Sequence, residues 1–165
     1  MVKPKVFHFA FKIVYPKITR TLITSAQIKL PSSLVGRDSK TWINVKSIWD
    51  TGATNSVITH SVVEKLNLYP TGKATVLGIN SRQIVNTYMV DIGLPNRVVI
   101  SDVIVTECEI NSPGIDLLIG MNIIQLGDLA ISNGPGHTIF SFAIPPFKNP
   151  ADLLQKANAI NPKKL

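Results

Sequence analysis

Asp50 closes an apolar stretch and opens the turn Asp50-Thr51-Gly52-Ala53-Thr54; much later the chain runs Leu117-Leu118-Ile119-Gly120. An aspartate at a strand end, set in a glycine turn and backed by apolar residues, can be held rigidly enough to move protons. The same residues also make an ordinary Asp-Thr-Gly turn, with Asp50 accepting hydrogen bonds from nearby backbone amides. Other chemistries find less to work with. Ser, His and Asp all occur, but no serine sits in Gly-x-Ser-x-Gly, and His8, His60 and His137 lie in unrelated contexts. Cys108 is the single cysteine, which excludes an intrachain disulfide and any multi-cysteine zinc site and predicts a half-buried strand thiol. Walker A, Rossmann and His-Glu-x-x-His patterns are absent, so neither a metal nor a cofactor is expected.

The elements that must position Asp50 read mostly as strands, because β-branched residues dominate and the visible apolar period is two. Leu22, Ala26, Ile28 and Leu30 alternate with Ser25, Gln27 and Lys29 as on a half-buried strand, which Pro31 ends. After a polar loop at Gly36, Arg37, Asp38 and Ser39, Trp42 to Trp49 predicts the strand that delivers Asp50, and another follows around Ser56 to Thr59. Ser61-Val62-Val63-Glu64 has capping-box spacing, with Val62, Val63 and Leu66 as the stripe of a short helix. Ala74 to Ile79 and Gln83 to Val90 flank Asn80 and Ser81 as a hairpin. Arg97 to Thr106 is nearly continuous in Val and Ile, which predicts a strand covered on both faces. Ser112-Pro113-Gly114 turns the chain into Asp116 to Ile119, and Asn133 to Gly136 joins Leu129–Ser132 to Thr138–Ala143 in one more hairpin. Asn149 as N-cap and Pro150 introduce an amphipathic helix through Leu153, Leu154, Ala157 and Ile160. Asn122, just after Gly120, is expected to cap a helix start, and Trp49 to sit in the core. Many short strands and two small helices predict an all-β barrel or sandwich.

With 165 residues the chain suits one domain with a real core. Hydrophobic residues at 45%, charged residues at 16% and a mean hydropathy of +0.23 are too apolar for disorder and too interrupted for a membrane protein. The net charge of +7 is uneven: residues 1–46 hold nine Lys and Arg against Asp38 alone, residues 47–147 four against eight acids, and residues 148–165 four against one. Lys3, Lys5, Lys12, Lys17 and Arg20 are spaced among apolar residues without clustering, which favours solvated strand faces over a nucleic-acid surface. The apolar run from Val6 to Phe11 is six residues and contains His8, too short for a signal-peptide core. No stretch approaches the roughly 20 apolar residues of a membrane helix. A cytoplasmic protein without membrane or nucleic-acid partner is expected.

Together the two motifs resemble those of the retropepsin-like aspartic proteases, single-domain, retroviral-type relatives of pepsin. The family's marks are Asp-Thr/Ser-Gly-Ala, here Asp50-Thr51-Gly52-Ala53, and a later hydrophobic-hydrophobic-Gly, here Leu118-Ile119-Gly120, which packs under the active-site loop. Ile115 to Ile124, then Gly127-Asp128-Leu129, and Phe140-Ser141-Phe142 before Pro145 are similar to bacterial members. The resemblance spans about Leu22 to Pro146 and implies an all-β, closed barrel-like acid-protease fold with one or two short helices. On this reading residues 1–21 form a basic N-terminal extension, 22–146 the protease domain and 147–165 a helical tail.

The resemblance further implies an aspartic endopeptidase acting on a peptide or protein. Such chemistry needs two carboxylates around one water, yet Asp38, Asp91, Asp102, Asp116, Asp128 and Asp152 lack a following Thr/Ser-Gly. The second carboxylate is therefore expected from a homodimer in which the two Asp50 residues meet on a two-fold axis. Thr51 would bond across that axis and Gly52 would let the loops approach. Ala53 and Thr54 would line the substrate site, and Gly78, Ile79 and Asn80 would form the tip of a covering flap. Ala53 stands where pepsin-like enzymes usually carry serine, which predicts activity nearer neutral pH. Gly78 is the one glycine between Lys73 and Val90, fewer than in retroviral flaps, so a stiffer or shorter flap is expected. The other reading is a catalytically silent dimerisation or binding module of the same fold; Asp50, Thr51, Gly52 and Ala53 together favour the enzyme.

Overall fold

Strands dominate the residues that the computed structural model describes, 6–35, 41–77, 82–149 and 151–161, as their β-branched composition predicts. In chain order they are β1 (Phe9–Val14), β2 (Leu22–Lys29), helix α1 (Ser32–Val35), β3 (Ile43–Trp49), β4 (Val57–Ile58), α2 (His60–Leu66) and β5 (Gly72–Leu77). There follow β6 (Arg82–Gly93), β7 (Val99–Glu107), β8 (Leu117–Ile119), α3 (Met121–Ile124), β9 (Asp128–Gly134), β10 (His137–Ile144) and α4 (Leu153–Ile160).

The alternation read in β2 is real: Ala26 and Ile28 are buried, Ser25 and Gln27 exposed. Seven strands form one sheet in the order β2-β3-β8-β4-β7-β6-β5, and an extra β2–β6 pairing closes it into a barrel. Closure leaves few backbone edges unpaired. A second sheet of three strands, β1-β10-β9, packs against the first. Phe9–Val14, within the basic segment expected as an extension, pairs along its whole length with β10.

The two sheets share a core in which Phe140, Phe142, Ile28, Ile92, Leu117 and Ile119 are fully buried. Burying each such side chain is worth about 1.5–3 kcal/mol. Trp49 lies among them as expected, with its ring centroid 5.2 Å from Phe140 and 4.9 Å from Phe142, and its indole N–H donates to Thr24 Oγ1 at 3.1 Å. That bond satisfies the one polar atom of a buried indole.

Three local expectations are corrected. β7 is not covered on both faces: Val103 and Val105 are buried but Ile104 is 57% exposed, so a run of Val and Ile hides an ordinary two-faced strand. The N-cap of α2 is Thr59, two residues before the expected Ser61, and the helix begins at His60. The Thr59 hydroxyl does not cap the helix because it donates to Asp116 Oδ1 at 3.0 Å. α4 is capped by Asp152, whose carboxylate accepts from the Gln155 amide at 2.9 Å, and not by Asn149; Pro150 lies outside the described residues. Among the described residues no helix is long and apolar enough to cross a membrane.

Candidate active site

β3 and β8 run parallel, with Ile48 opposite Leu118 and Trp49 opposite Ile119. One step beyond that register, the residues that leave the two strand ends are Asp50 and Gly120. This pairing explains why two motifs so distant in the chain act as a unit. The Asp50 amide donates to Ile119 O at 3.0 Å, and the Asp50 side chain turns back so that Oδ1 accepts from the Gly52 amide at 2.8 Å. An Asp followed by a glycine two residues on makes this turn readily. A side chain at residue 52 would place its Cβ 3.2 Å from Asp50 Oδ1, so glycine keeps the carboxylate uncrowded.

Leu118, Ile119 and Gly120 lie directly behind the loop, as the hydrophobic-hydrophobic-Gly motif requires. Ile119 is fully buried, and a Cβ on Gly120 would stand 2.6 Å from the backbone carbonyl of Asn55 and 2.9 Å from Ala53 O. Two backbone bonds bind the loop to the start of α3: Met121 N to Ala53 O at 2.8 Å and Asn122 N to Thr54 O at 3.0 Å. The Asn122 side chain does not cap α3, whose N-cap is Gly120. Its Oδ1 instead accepts from both the amide and the hydroxyl of Ser56, at 2.9 and 2.8 Å, and the Ser56 hydroxyl accepts from the Gly120 amide at 3.1 Å. Sequence reading missed this pair, and its only trace is that both residues sit near the motifs they join.

Asp50, Gly52, Ala53 and Thr54 line one wall of a cleft of about 500 Å³, and β5 residues Ala74 to Leu77 line another. Asn55, Val57 and Thr106 complete it, none of them singled out in the sequence. Thr51 is exposed beside the cleft. Among the described residues that line it, Asp50 is the only charged one. The expected flap tip, Gly78, Ile79 and Asn80, lies outside the described residues. β5 and β6, on either side of those residues, pair antiparallel from Gly72 opposite Thr87 to Leu77 opposite Arg82.

At the base of that pair is a second polar cluster. Glu107 accepts from the Tyr88 hydroxyl at 2.7 Å and lies 2.6 Å from His60 Nδ1, while His60 Nε2 is 3.3 Å from Glu64. The hydrogen bond to Glu107 and then the charge of Glu64 hold the His60 imidazole above its ordinary range. Burial pushes Glu107 up, but the bonds from Tyr88 and His60 outweigh it and keep the carboxyl below its ordinary range.

Fold and site together present one aspartate in a glycine turn, backed by a hydrophobic-Gly strand end and facing the β5–β6 pair. A family model described as aspartyl protease matches residues 43–123, from the first residue of β3 into α3. Among solved structures, a retropepsin-like aspartic protease from Rickettsia conorii aligns over 86% of this chain and 98% of its own, with a TM-score of 0.51 and 15% identity. The simian foamy virus (mac) protease aligns over 63% and 92%, with a TM-score of 0.42 and 17% identity. The EIAV protease, complexed with the inhibitor HBY-793, aligns over 64% and 86%, with a TM-score of 0.42 and 22% identity. No curated protein matches the sequence. The chain is retropepsin-like in fold, and its residues 43–123 match the aspartyl protease family.

Proposed function

We propose that the protein is an aspartic endopeptidase that works as a homodimer, with Asp50 of each copy flanking one water. The ionised Asp50 takes a proton from that water as its oxygen attacks the scissile carbonyl carbon. The protonated twin gives its proton to the carbonyl oxygen, forming a tetrahedral diol. Collapse of the diol expels the amine, which receives a proton from the pair, and no covalent enzyme intermediate forms. Acid–base catalysis of this kind supplies about 10² to 10⁴ in rate.

The observation that carries this reading is the lone carboxylate of Asp50, oriented by the Gly52 amide and opening onto an uncharged cleft of about 500 Å³. A cleft of that size accepts several residues of an extended peptide, with Ala53, Thr54 and the β5 edge as its neighbours. Thr51, exposed beside Asp50, is free to bond across the two-fold axis. Because each chain supplies one Asp-Thr-Gly, the monomer is inert on this reading.

The test is cleavage of a peptide library by the wild type and by Asp50→Asn, with sedimentation of both. Loss of cleavage in an intact dimer supports the reading. Undiminished cleavage by Asp50→Asn would place the catalyst elsewhere, and a wild type that dimerises without cleaving anything would leave a silent binding module.

A further inference from the structure

We infer that Asn122 is a positioning residue: through Ser56 it sets the height of the Asp50 loop, and thereby how closely two copies can bring their carboxylates together. The inference rests on the dimeric protease reading and concerns how that site is tuned.

Ser56 is fully buried at the end of the loop, and its polar atoms find partners on two separate segments, the start of α3 and β7. Its amide and hydroxyl both donate to Asn122 Oδ1, its hydroxyl accepts from the Gly120 amide, and its carbonyl accepts from the Thr106 amide at 3.1 Å. Asn122 Nδ2 in turn donates to Ile104 O at 3.3 Å on β7. Because the Ser56 amide can only donate, the Asn122 side chain must present its oxygen there and its NH₂ to Ile104. One amide thus ties the loop, the β8 end and the strand that pairs with β6.

The residue type follows from this geometry. Aspartate could accept from Ser56 but would turn its other oxygen toward Ile104 O. Serine cannot span the gap, and glutamine is one methylene too long. Gly120 supplies the opposing limit, since the loop already rests against it with no room for a Cβ. Contact with Gly120 stops the loop moving inward, and the Asn122–Ser56 bonds stop it moving outward. Without those bonds the buried Ser56 groups lose their partners, which favours a displaced loop.

The separation of two carboxylates governs how strongly they share a proton, and the width of a bell-shaped pH–rate profile reports that coupling. A loop that has slipped outward weakens the coupling and narrows the bell. General loss of stability would lower the amount of folded enzyme without changing the width. A displacement on the order of 1 Å also costs up to about 10²-fold in rate.

The experiment compares wild type, Asn122→Ala and Asn122→Asp below their melting temperatures. For Asn122→Ala the expected result is a kcat lowered about 10- to 100-fold with KM little changed, and a narrower pH profile. Asn122→Asp keeps the acceptor for Ser56 but sets its other oxygen against Ile104 O, so it is expected to recover only part of the loss. Wild-type kcat and width in Asn122→Ala would overturn the proposal. Amide hydrogen exchange gives a readout independent of cleavage: Ser56 and Gly120 should exchange faster in Asn122→Ala while β10 is unchanged. If the wild type cleaves no peptide, the protease reading fails by itself. Unchanged exchange at Ser56 and Gly120 sinks this inference whether or not peptides are cut.

Discussion

Lys29 and Asp91 are register partners across the β2–β6 seam that closes the barrel, with Nζ 3.5 Å from Oδ2 and side chains only 7% and 0% exposed. The carboxylate also accepts from the Ser32 amide and hydroxyl, at 3.1 and 2.6 Å, and from the Asp102 amide at 3.0 Å. The β6–β7 register slips here, so that two β7 residues, Ser101 and Asp102, oppose the single Asp91, and Asp102 takes φ 55. This bulge aims the Asp102 amide at Asp91.

Removing one member of a buried pair leaves the other uncompensated, which costs about 3–5 kcal/mol. Asp91→Asn should reach that range, because one amide oxygen cannot replace a carboxylate that takes three donors and faces Lys29. Lys29→Met should cost less, since Ser32 and the Asp102 amide still serve the carboxylate. Denaturant titration of both variants gives the order.

Burial pushes the Asp91 carboxyl up, yet the bonds from Ser32 and Asp102 and the charge of Lys29 win and hold it below the usual carboxylate range. A lowered folded-state value means that its contribution is complete above the unfolded value of about 4 and is lost as pH falls through the folded one. Acid should therefore loosen the seam of the wild type, and melting curves from about pH 5 down to pH 2 should fall more steeply for the wild type than for Asp91→Asn.

His60 works in the opposite sense. Its raised folded-state value makes its contribution complete below about pH 6.5 and lost as pH rises through the folded value. The melting temperature of the wild type should drop between about pH 6 and pH 8. His60→Gln should flatten that dependence, and the imidazole protons should titrate late by NMR. A wild-type melting temperature constant across that range would remove His60 from the account.

Gly120→Ala places a methyl 2.6 Å from the Asn55 backbone, where no flexible side chain can yield. Overpacking of this kind costs about 1–3 kcal/mol, and here the strain falls on the Asp50 loop. Lower stability and a larger proportional loss of cleavage are expected; full activity at wild-type stability would mean that the loop has slack.

Ala53→Ser adds a hydroxyl beside a carboxylate that now accepts from the Gly52 amide. Better support of the charged form should move the cleavage optimum toward acid. A pH–rate profile that stays in place would show that the residue 53 hydroxyl does not reach Asp50.

The strands and the motif pair were legible because they depend on local pattern: alternation marks β2, and Asp-Thr-Gly and Leu-Ile-Gly each mark a strand end. What parallel pairing of β3 and β8 adds is their meeting. Asn122 was read as a cap because a polar residue after Gly120 looks like one, whereas its partner Ser56 lies 66 residues away and leaves no local signature. Lys29 alternated like a solvated residue of a half-buried strand, and only closure of the barrel puts it opposite Asp91. The outward face of β7 was hidden because Ile104 is apolar though exposed. The caps of α2 and α4 slipped by two and three residues, since several neighbouring polar residues suit that role equally and tertiary contacts choose among them.

Phe9 and Ile144 sit side by side as the first pair of the β1–β10 ladder. The polypeptide therefore enters and leaves its folded body at one spot, roughly 5 Å apart by the spacing of paired strands. A short bridge across that spot would make the backbone a ring, which could be cut anew at the exposed Pro113-Gly114 bend without parting any ladder. Such a permutant should assemble the same barrel, with the order of its genetic segments rearranged and the aspartate loop untouched.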